Sequence, residues 1–286
     1  MRLVTFDSPD GPRAGAIRGD TVVDAWAALG EPGRGCLREL IAEERVADLE
    51  GALEAEVPEE LSRPLAEVEL LPPIPDPEKI ICIGLNYRSH AAEAGIEPPE
   101  SPAIFGKFRN ALAAPGAAVR LPAASRKVDF EAEVAFVVGR RASEVSTEEA
   151  LDHVAGYTLL NDLSARDLQF ATPQWMSGKV FDGSAPCGPA LVTPDEAGGH
   201  DAIEIALRLN GEEMQSASTA DLIFDVPWLL SHLSGLMTLE PGDIVSTGTP
   251  AGVGSVREPR VWLKGGDEIV ISSPTLGELT TSIRAA

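Results

Sequence analysis

The sequence predicts an α+β fold in which β-structure dominates. Residues 128–138 alternate between apolar and acidic side chains and then become apolar on both faces, as in a strand that enters a core. Asn210-Gly211 separates two strand-like runs and is a strong signal for a hairpin turn. Residues 261–283 contain short apolar runs separated by glycines, which indicates a terminal β-meander. The predicted class is therefore β-rich α+β.

Residues 1–70 are predicted to form a small N-terminal α/β domain that serves as packing scaffold. Its predicted elements are three short strands and one helix, over residues 1–6, 14–17, 21–23 and 37–53. Residues 71–77 hold four prolines, which is typical of a semi-rigid linker. We therefore expect the catalytic domain to cover residues 78–286.

The main domain is predicted to consist of short strands joined by a few helices. Besides 128–138, the predicted strands cover residues 79–84, 156–160, 203–209, 244–246, 261–263, 268–271 and 278–283. The predicted helices cover residues 90–94, 147–154 and 221–236, with Gly95 closing the first and Pro227 lying in the first turns of the last.

The composition and net charge of the chain limit the kinds of molecule that it is expected to bind. The chain has 286 residues, 44% of them hydrophobic, which suffices for one large domain or one domain and a small one. The net charge of -22 disfavours nucleic acids and anionic membranes, because both need clustered Lys and Arg. The three cysteines form no Cys-x-x-Cys motif, so the sequence contains neither a zinc knuckle nor a dithiol site. With no visible signal peptide and no apolar run near ~18 residues, we expect a cytoplasmic protein.

Acidic side chains stand near the ends of two predicted strands. Glu131 and Glu133 share a face with Asp129, since side chains alternate with period two, and Asp162 follows the strand 156–160. Carboxylates on one face repel each other unless they are solvated or neutralised. Oxygen ligands suit hard cations such as Mg²⁺, Ca²⁺ and Mn²⁺. Two interpretations stay open from these residues alone: a bound cation, or acids that face water while Asp162 caps a turn.

His90 is the best candidate for a general base. His90 and Glu93 are three residues apart on a short predicted helix, so they share a face, and a carboxylate orients an imidazole as a base. The other histidines lie in weaker contexts: His153, His200 and His232.

Two lysines and one loop are candidates for contact with an anionic substrate. Lys179 stands in an apolar, glycine-rich run, where an anion contact is favoured over a surface ion pair. Lys107 fits a substrate-carboxylate contact and a surface charge equally well. The run 247–254 lacks the Lys-Ser/Thr of a phosphate loop, but Gly248 permits close backbone approach and Thr249 offers a hydroxyl.

Several motifs, taken together and in order, resemble the fumarylacetoacetate hydrolase family across residues 77–282. They are Ile83-Gly84-Leu85-Asn86-Tyr87-x-x-His90, Glu131-x-Glu133, Asn161-Asp162-x-Ser164-Ala165-Arg166-Asp167-x-Gln169, Trp175-x-x-Gly178-Lys179-x-Phe181-Asp182, Pro186-x-Gly188-Pro189 and Pro241-Gly242-Asp243-Ile244-Val245-Ser246-Thr247-Gly248-Thr249-Pro250-x-Gly252-Val253-Gly254. Each motif is weak alone, and the set is specific.

The resemblance implies a rolled mixed β-sandwich behind a small N-terminal domain, commonly as a homodimer. It also implies the roles of site residues. Glu131, Glu133 and Asp162 would bind a divalent metal, with Mg²⁺ expected and Mn²⁺ or Ca²⁺ as alternatives. His90 and Glu93 would form a catalytic dyad on a mobile lid, and Lys179 would lie beside the metal. The candidate substrate-binding residues are Gln169, Lys107, Arg166, Thr249 and Gly248, although Arg166 also fits a structural role.

The activity that the resemblance implies first is metal-dependent hydrolysis of a carbon–carbon bond in a small β-diketo or oxo acid. The reaction would proceed through a metal-stabilised enolate, with water activated by His90. Decarboxylation or keto–enol isomerisation of an oxo acid by a member of the same family is the first alternative. A non-catalytic binding module with a structural cation is the second.

Overall fold

Strands account for most of the regular structure in the computed structural model, which describes residues 1–55 and 57–286. Strands β1 to β19 are Arg2–Phe6, Arg13–Arg18, Thr21–Asp24, Ser62–Pro64, Leu70–Leu71, Ile80–Gly84, Ala103–Lys107, Leu112–Ala113, Ala118–Arg120, Val128–Asp129, Ala132–Val138, Val154–Asn161, Ser164–Ala165, Ala185–Val192, Glu204–Leu209, Glu212–Ser218, Ile244–Ser246, Glu268–Ser273 and Gly277–Arg284. Helices α1 to α7 are Ala25–Ala28, Leu37–Ala42, Val46–Glu54, Arg88–Glu93, Arg166–Gln169, Pro194–Ala197 and Val226–Leu236. The predicted β-rich α+β class is confirmed.

Two sheets form the framework. Among the described residues the larger sheet has twelve strands in the order β4-β3-β2-β1-β14-β12-β11-β17-β6-β7, with β5 added to β1 and β8 to β14. The second sheet has the order β16-β15-β18-β19-β9, and β10 pairs with β13. Strand β1 pairs antiparallel with β14, so the N-terminal strands extend the sheet of the main domain. The division into 1–70, 71–77 and 78–286 stays a prediction.

Strand β11 lies at the centre of the fold and is buried on both faces. One face contributes Val134, Phe136 and Val138 to a core shared with β15, β18 and α7. The other contributes Ala135 and Val137 to a core shared with α2 and α3. Because successive side chains point to opposite faces, a strand covered on both sides needs an unbroken apolar run, as the sequence showed. Burying each large side chain contributes about 1.5–3 kcal/mol to the stability of the fold. Strand β11 therefore holds the acidic residues at its start in a fixed position.

The prediction of one continuous helix over residues 37–53 is wrong, because this segment forms two helices, α2 and α3. Glu44 has a φ of 55°, and the Arg45 N–H donates to the Leu40 carbonyl at 3.0 Å. This bond closes the end of α2 in the manner of a helix-terminating motif. Both helices bury leucines against the same sheet face, so the apolar period alone does not reveal the break.

Two further predicted helices are shorter than expected, and one predicted strand is absent from the part of the chain that the structure describes. The segment 147–154 contains only a 3₁₀ turn, Ala150–His153. Helix α7 begins at Val226, because the Asp225 carboxylate accepts a hydrogen bond from the Trp228 N–H at 2.9 Å and caps it. Residues 261–263 form no strand but contact β10, through a 2.9 Å bond from the Leu263 N–H to the Val128 carbonyl.

Two local predictions are confirmed. Asn210 and Gly211 have φ values of 53° and 85° and join β15 to β16, which is the geometry of a type I′ hairpin turn. Gly95 follows α4 with a φ of 67°, so it ends this helix as predicted. Within residues 1–55 and 57–286, no helix is long and apolar enough to cross a membrane.

Candidate active site and metal centre

Strand register brings the three predicted metal-binding carboxylates together. Strands β11 and β12 pair with Ala132 opposite Asn161, so Glu131 and Asp162 lie side by side at the end of this pairing. The Asp162 N–H donates to the Glu131 carbonyl at 2.9 Å. Glu133, two residues further along, shares the face of Glu131. All three side chains are buried, and each offers an oxygen within 4.8 Å of the others. The structure thus brings the three carboxylates together, and their role as metal ligands stays a prediction.

Three buried cations surround two of these carboxylates. Lys179 Nζ lies 2.7 Å from Glu131 Oε2 and 2.6 Å from Asp162 Oδ2. Arg166 Nη2 lies 2.7 Å from Glu131 Oε1, and Lys107 Nζ lies 2.7 Å from Asp162 Oδ1. Burial opposes the ionisation of Glu131, but the charges of Lys179 and Arg166 outweigh it and lower its pKa to about 2. Glu131 is therefore a carboxylate at neutral pH.

Glu133 stands apart because no lysine or arginine in residues 1–55 or 57–286 forms an ion pair with it. It accepts hydrogen bonds from the Ser246 hydroxyl and from the Gly248 N–H, the latter at 3.1 Å. Burial, followed by the charges of Asp162 and Glu131, raises the pKa of Glu133 well above its ordinary value. A cation at this cluster would relieve that repulsion, and an all-oxygen donor set suits a hard divalent ion. The donor set therefore fits a divalent metal.

Lys179 is expected to be essential for the stability of the metal-free protein. In Lys179→Met, two buried carboxylates lose a shared cation, which should lower the free energy of unfolding by about 3–5 kcal/mol. Added Mg²⁺ or Mn²⁺ should restore part of the loss. Urea unfolding with and without a chelator measures both effects. Lys264→Met, which changes an exposed lysine, is the control. A loss below about 1 kcal/mol, typical of surface changes, would show that Lys179 does not compensate the carboxylates.

Two acids of the cluster, Glu131 and Glu133, line a cavity of about 540 Å³. Most of the predicted site residues line it: Glu131, Glu133, His90, Lys179, Arg166, Gln169 and Thr249. Further walls come from apolar side chains, including Phe105, Trp175, Val253 and Trp262. A pocket of this size with a few convergent polar groups is typical of a small-molecule site.

His90 and Glu93 form the predicted pair on α4. His90 Nδ1 lies 3.3 Å from Glu93 Oε2. Because a carboxylate only accepts hydrogen bonds, this contact favours the neutral tautomer that has its proton on Nδ1 and a lone pair on Nε2. The two carboxylate oxygens of Glu93 also accept the Gly252 N–H, at 3.0 and 3.1 Å. Glu93 therefore joins the helix that carries His90 to the loop after β17. Movement of this segment as a lid stays a prediction.

Among the predicted substrate contacts, two polar groups are already bonded within the protein. Thr249 Oγ1 donates to the Ala132 carbonyl at 3.0 Å and accepts from Gln215 Nε2 at 2.8 Å. The Gly248 N–H donates a hydrogen bond to Glu133 Oε2. Lys107 is buried behind Asp162, outside the cavity lining. The roles of Thr249, Gly248 and Lys107 as substrate contacts stay predictions.

Arg166 lies between two acids, Asp129 and Glu131. Its Nε donates to Asp129 Oδ2 and its Nη1 to Gln169 Oε1, both at 2.9 Å. This bond holds Gln169 at the cavity wall through its amide oxygen and does not involve its amide nitrogen. Contact of either residue with substrate stays a prediction.

Two residues that support the site were not identified from the sequence. Asp129 accepts the N–H groups of Gly254 at 2.7 Å and Ser255 at 3.0 Å, so it fixes the loop after β17. Gln215 accepts the Ala132 N–H at 2.9 Å, and its amide also donates to the Pro250 carbonyl at 2.9 Å. The alternation of apolar and acidic residues predicted that Asp129 and Glu131 share a strand face. It does not indicate that Asp129 bonds to Gly254, which lies more than a hundred residues away in the sequence.

Comparisons with known proteins agree with this geometry. Residues 79–284 match the family described as fumarylacetoacetate (FAA) hydrolase C-terminal. A mitochondrial oxaloacetate tautomerase of Xenopus laevis is 40% identical over 99% of this chain and 90% of its own length. That relative is named as mitochondrial, which does not match the expected cytoplasmic location, so this location stays a prediction.

Two solved structures are also similar over the whole chain. A 2-hydroxyhepta-2,4-diene-1,7-dioate isomerase from Mycobacterium marinum is 34% identical, with a TM-score of 0.79, covering 100% of this chain and 98% of that one. A maleylpyruvate hydrolase from Sphingobium sp. SYK-6, solved with manganese(II) and pyruvate, is 32% identical, with a TM-score of 0.81 and full coverage of both chains. The related proteins are thus named as tautomerases, isomerases and hydrolases. The motifs, the fold and these matches together show that the chain belongs to the fumarylacetoacetate hydrolase family.

Proposed function

We propose that this protein is a metal-dependent enzyme that acts on small 2-oxo acids through their enolates, and that keto–enol tautomerisation is its reaction. The observation that carries the proposal is that one cavity is lined by Glu131 and Glu133 of the acidic cluster, by Lys179, and by His90, which is paired with Glu93. The 40% identity to an oxaloacetate tautomerase over 99% of the chain supports tautomerisation as the specific reaction.

Glu131, Glu133 and Asp162 would hold the divalent ion. When bound, such an ion supplies positive charge that attracts the oxo and carboxylate oxygens of the substrate and stabilises negative charge on the oxo oxygen. Lys179 places a second positive charge at the same wall, 2.7 Å from Glu131. Glu131 and Asp162 share this ammonium, so with the ion bound Lys179 would add to the positive charge that attracts an anionic head group.

His90 provides the proton-transfer group. Its unprotonated Nε2 takes a proton from the carbon next to the oxo group, and the electron pair of that C–H bond moves to form the enolate. The imidazolium then returns the proton, either to the same carbon or to the oxygen. Glu93 holds the ring in one tautomer and offsets its charge, because Glu93 is itself fixed by the Gly252 N–H. A positioned base of this kind contributes roughly 10²–10⁴-fold.

Hydrolysis of a carbon–carbon bond is the second candidate, and the similarity to a maleylpyruvate hydrolase favours it. In that reaction His90 Nε2 takes its proton from water, and the water oxygen attacks the carbonyl remote from the 2-oxo acid. The carbon–carbon bond then breaks, and its electron pair remains on the leaving enolate, which is protonated to the product acid. The same residues serve both reactions.

An assay of three reactions distinguishes the candidates. Freshly dissolved enol-oxaloacetate is followed by its enol absorbance, and release of pyruvate from oxaloacetate, acylpyruvate or maleylpyruvate is measured separately, with Mg²⁺, Mn²⁺ or a chelator. We expect metal-dependent loss of the enol without pyruvate release. Faster pyruvate release from acylpyruvate or maleylpyruvate would identify a hydrolase, and from oxaloacetate a decarboxylase. No metal-dependent turnover in any assay would leave a non-catalytic module with a bound cation.

A further inference from the structure

Two cations at the rim of the cavity have no acidic partner. Lys127 and Arg260 both line the cavity and are exposed. Across residues 1–55 and 57–286, neither side chain forms an ion pair or a hydrogen bond. By contrast, Arg166 and Lys179, deeper in the same cavity, are each held by two carboxylates. In a chain with a net charge of -22, two unpaired cations at one opening are a local reversal of the overall charge.

Backbone hydrogen bonds join the segments that carry these two cations to each other and to the inner part of the site. The Arg166 N–H donates to the Lys127 carbonyl at 2.9 Å, so Lys127 directly adjoins the inner part of the site. The Leu263 N–H donates to the Val128 carbonyl at 2.9 Å, which brings the segment carrying Arg260 and Trp262 alongside Lys127.

The one acidic side chain on this part of the lining is already engaged. Asp167 accepts hydrogen bonds from the Ser125 hydroxyl at 2.5 Å and from the Arg126 N–H at 3.0 Å. These two hydrogen bonds engage both carboxylate oxygens of Asp167. Among the described residues, Asp167 forms no ion pair with Lys127. The lining of the same cavity also includes Val256 and Trp262, which are apolar surfaces for a carbon chain.

We propose that Lys127 and Arg260 determine specificity by binding a carboxylate at the end of the substrate remote from the acidic cluster. The proposal rests on the proposed function, because it takes the first carboxylate to lie at the acidic cluster. A cavity of about 540 Å³ offers more room than the head group needs, and its lining combines the acidic residues, the two exposed cations and apolar side chains. Lys127 and Arg260 thus determine specificity and take no part in proton transfer.

Pairs of acids that differ only in the distal group test the subsite. The pairs are 2-oxoglutarate with 2-oxopentanoate and 2-oxoadipate with 2-oxohexanoate, titrated in the presence of Mg²⁺ and followed by tryptophan fluorescence or calorimetry. The wild type should bind the dicarboxylate of at least one pair about tenfold more tightly, which is typical of charge-assisted hydrogen bonds that stay partly in water. Lys127→Gln or Arg260→Gln should reduce the preference about threefold, and the double variant should abolish it.

Arg126→Gln is the matched control, because Arg126 is the exposed neighbour of Lys127 and lies outside the cavity lining. This variant should retain the preference, which separates local contact from the general effect of removing a positive charge. Equal affinity for the members of both pairs in the wild type, absence of binding by all four acids, or an unchanged preference in the double variant would overturn the subsite. If the dicarboxylates are preferred but no oxo acid is turned over, the proposed function fails while the subsite stands.

Discussion

Glu133→Gln is expected to abolish metal binding and metal-dependent activity without destabilising the metal-free protein. Glu133 forms no ion pair with a lysine or arginine in the described residues, and burial, followed by the charges of Asp162 and Glu131, opposes its ionisation and raises its pKa. A neutral amide keeps an oxygen that can accept the Gly248 N–H and removes the repulsion, so the variant should be as stable as the parent or more stable. Loss of one ligand and several kcal/mol of charge stabilisation should lower turnover by about 10³-fold.

Unfolding measured with and without metal tests this prediction. At a hundred times its dissociation constant, Mg²⁺ or Mn²⁺ should stabilise the wild type by about 2.7 kcal/mol and should have no effect on Glu133→Gln. Glu131→Gln is the comparison: Glu131 pairs with Lys179 and Arg166, so this variant should lose about 2 kcal/mol or more even without metal. Unchanged metal stoichiometry and activity in Glu133→Gln would show that Glu133 is not a ligand.

His90→Ala should reduce tautomerisation or carbon–carbon bond hydrolysis by roughly 10²–10⁴-fold, because both need a positioned base. Binding of oxalate, which mimics the head group of an enolate, should be retained, since His90 lies on α4 and not in the acidic cluster. Decarboxylation of oxaloacetate should suffer less, because it needs no water nucleophile and chiefly requires the metal charge. Turnover numbers for the three reactions and an oxalate titration supply the measurements.

A second histidine provides the control for this experiment. His153→Ala removes a histidine outside the cavity lining, with its Nδ1 at 3.3 Å from the Arg140 carbonyl, and it should leave all three reactions unchanged. If His90→Ala stays within a few-fold of the parent in tautomerisation and hydrolysis, His90 is not the base and the proposed mechanism is wrong.

The sequence predicted those parts of the site that depend on local order. Alternation placed Glu131 and Glu133 on one face, and the end of the following strand placed Asp162 near them. Family motifs supplied the roles of His90 and Lys179. The placement of the three carboxylates succeeded because strand period and strand order are properties of short segments. The roles of His90 and Lys179 stay predictions.

Features that depend on distant contacts could not be predicted in this way. Asp129 belonged to the same acidic face as Glu131, yet it fixes the loop at Gly254, and only the folded chain brings these positions together. The break between α2 and α3 depends on the left-handed backbone at Glu44, while the apolar pattern continues across it. Lys127 and Arg260 have no distinctive local sequence, and their importance follows from the cavity that they share.

The bond between Glu93 and the Gly252 N–H links two events that could otherwise be separate. Glu93 fixes the ring of His90 and at the same time attaches α4 to the loop beside the cavity. If α4 moves away to admit or release a ligand, the imidazole loses its orienting partner in that same displacement. The protein would then be chemically inactive whenever it is open to water. Substrate capture and assembly of the base would be a single interlocked step, and an enolate would form only in the enclosed state.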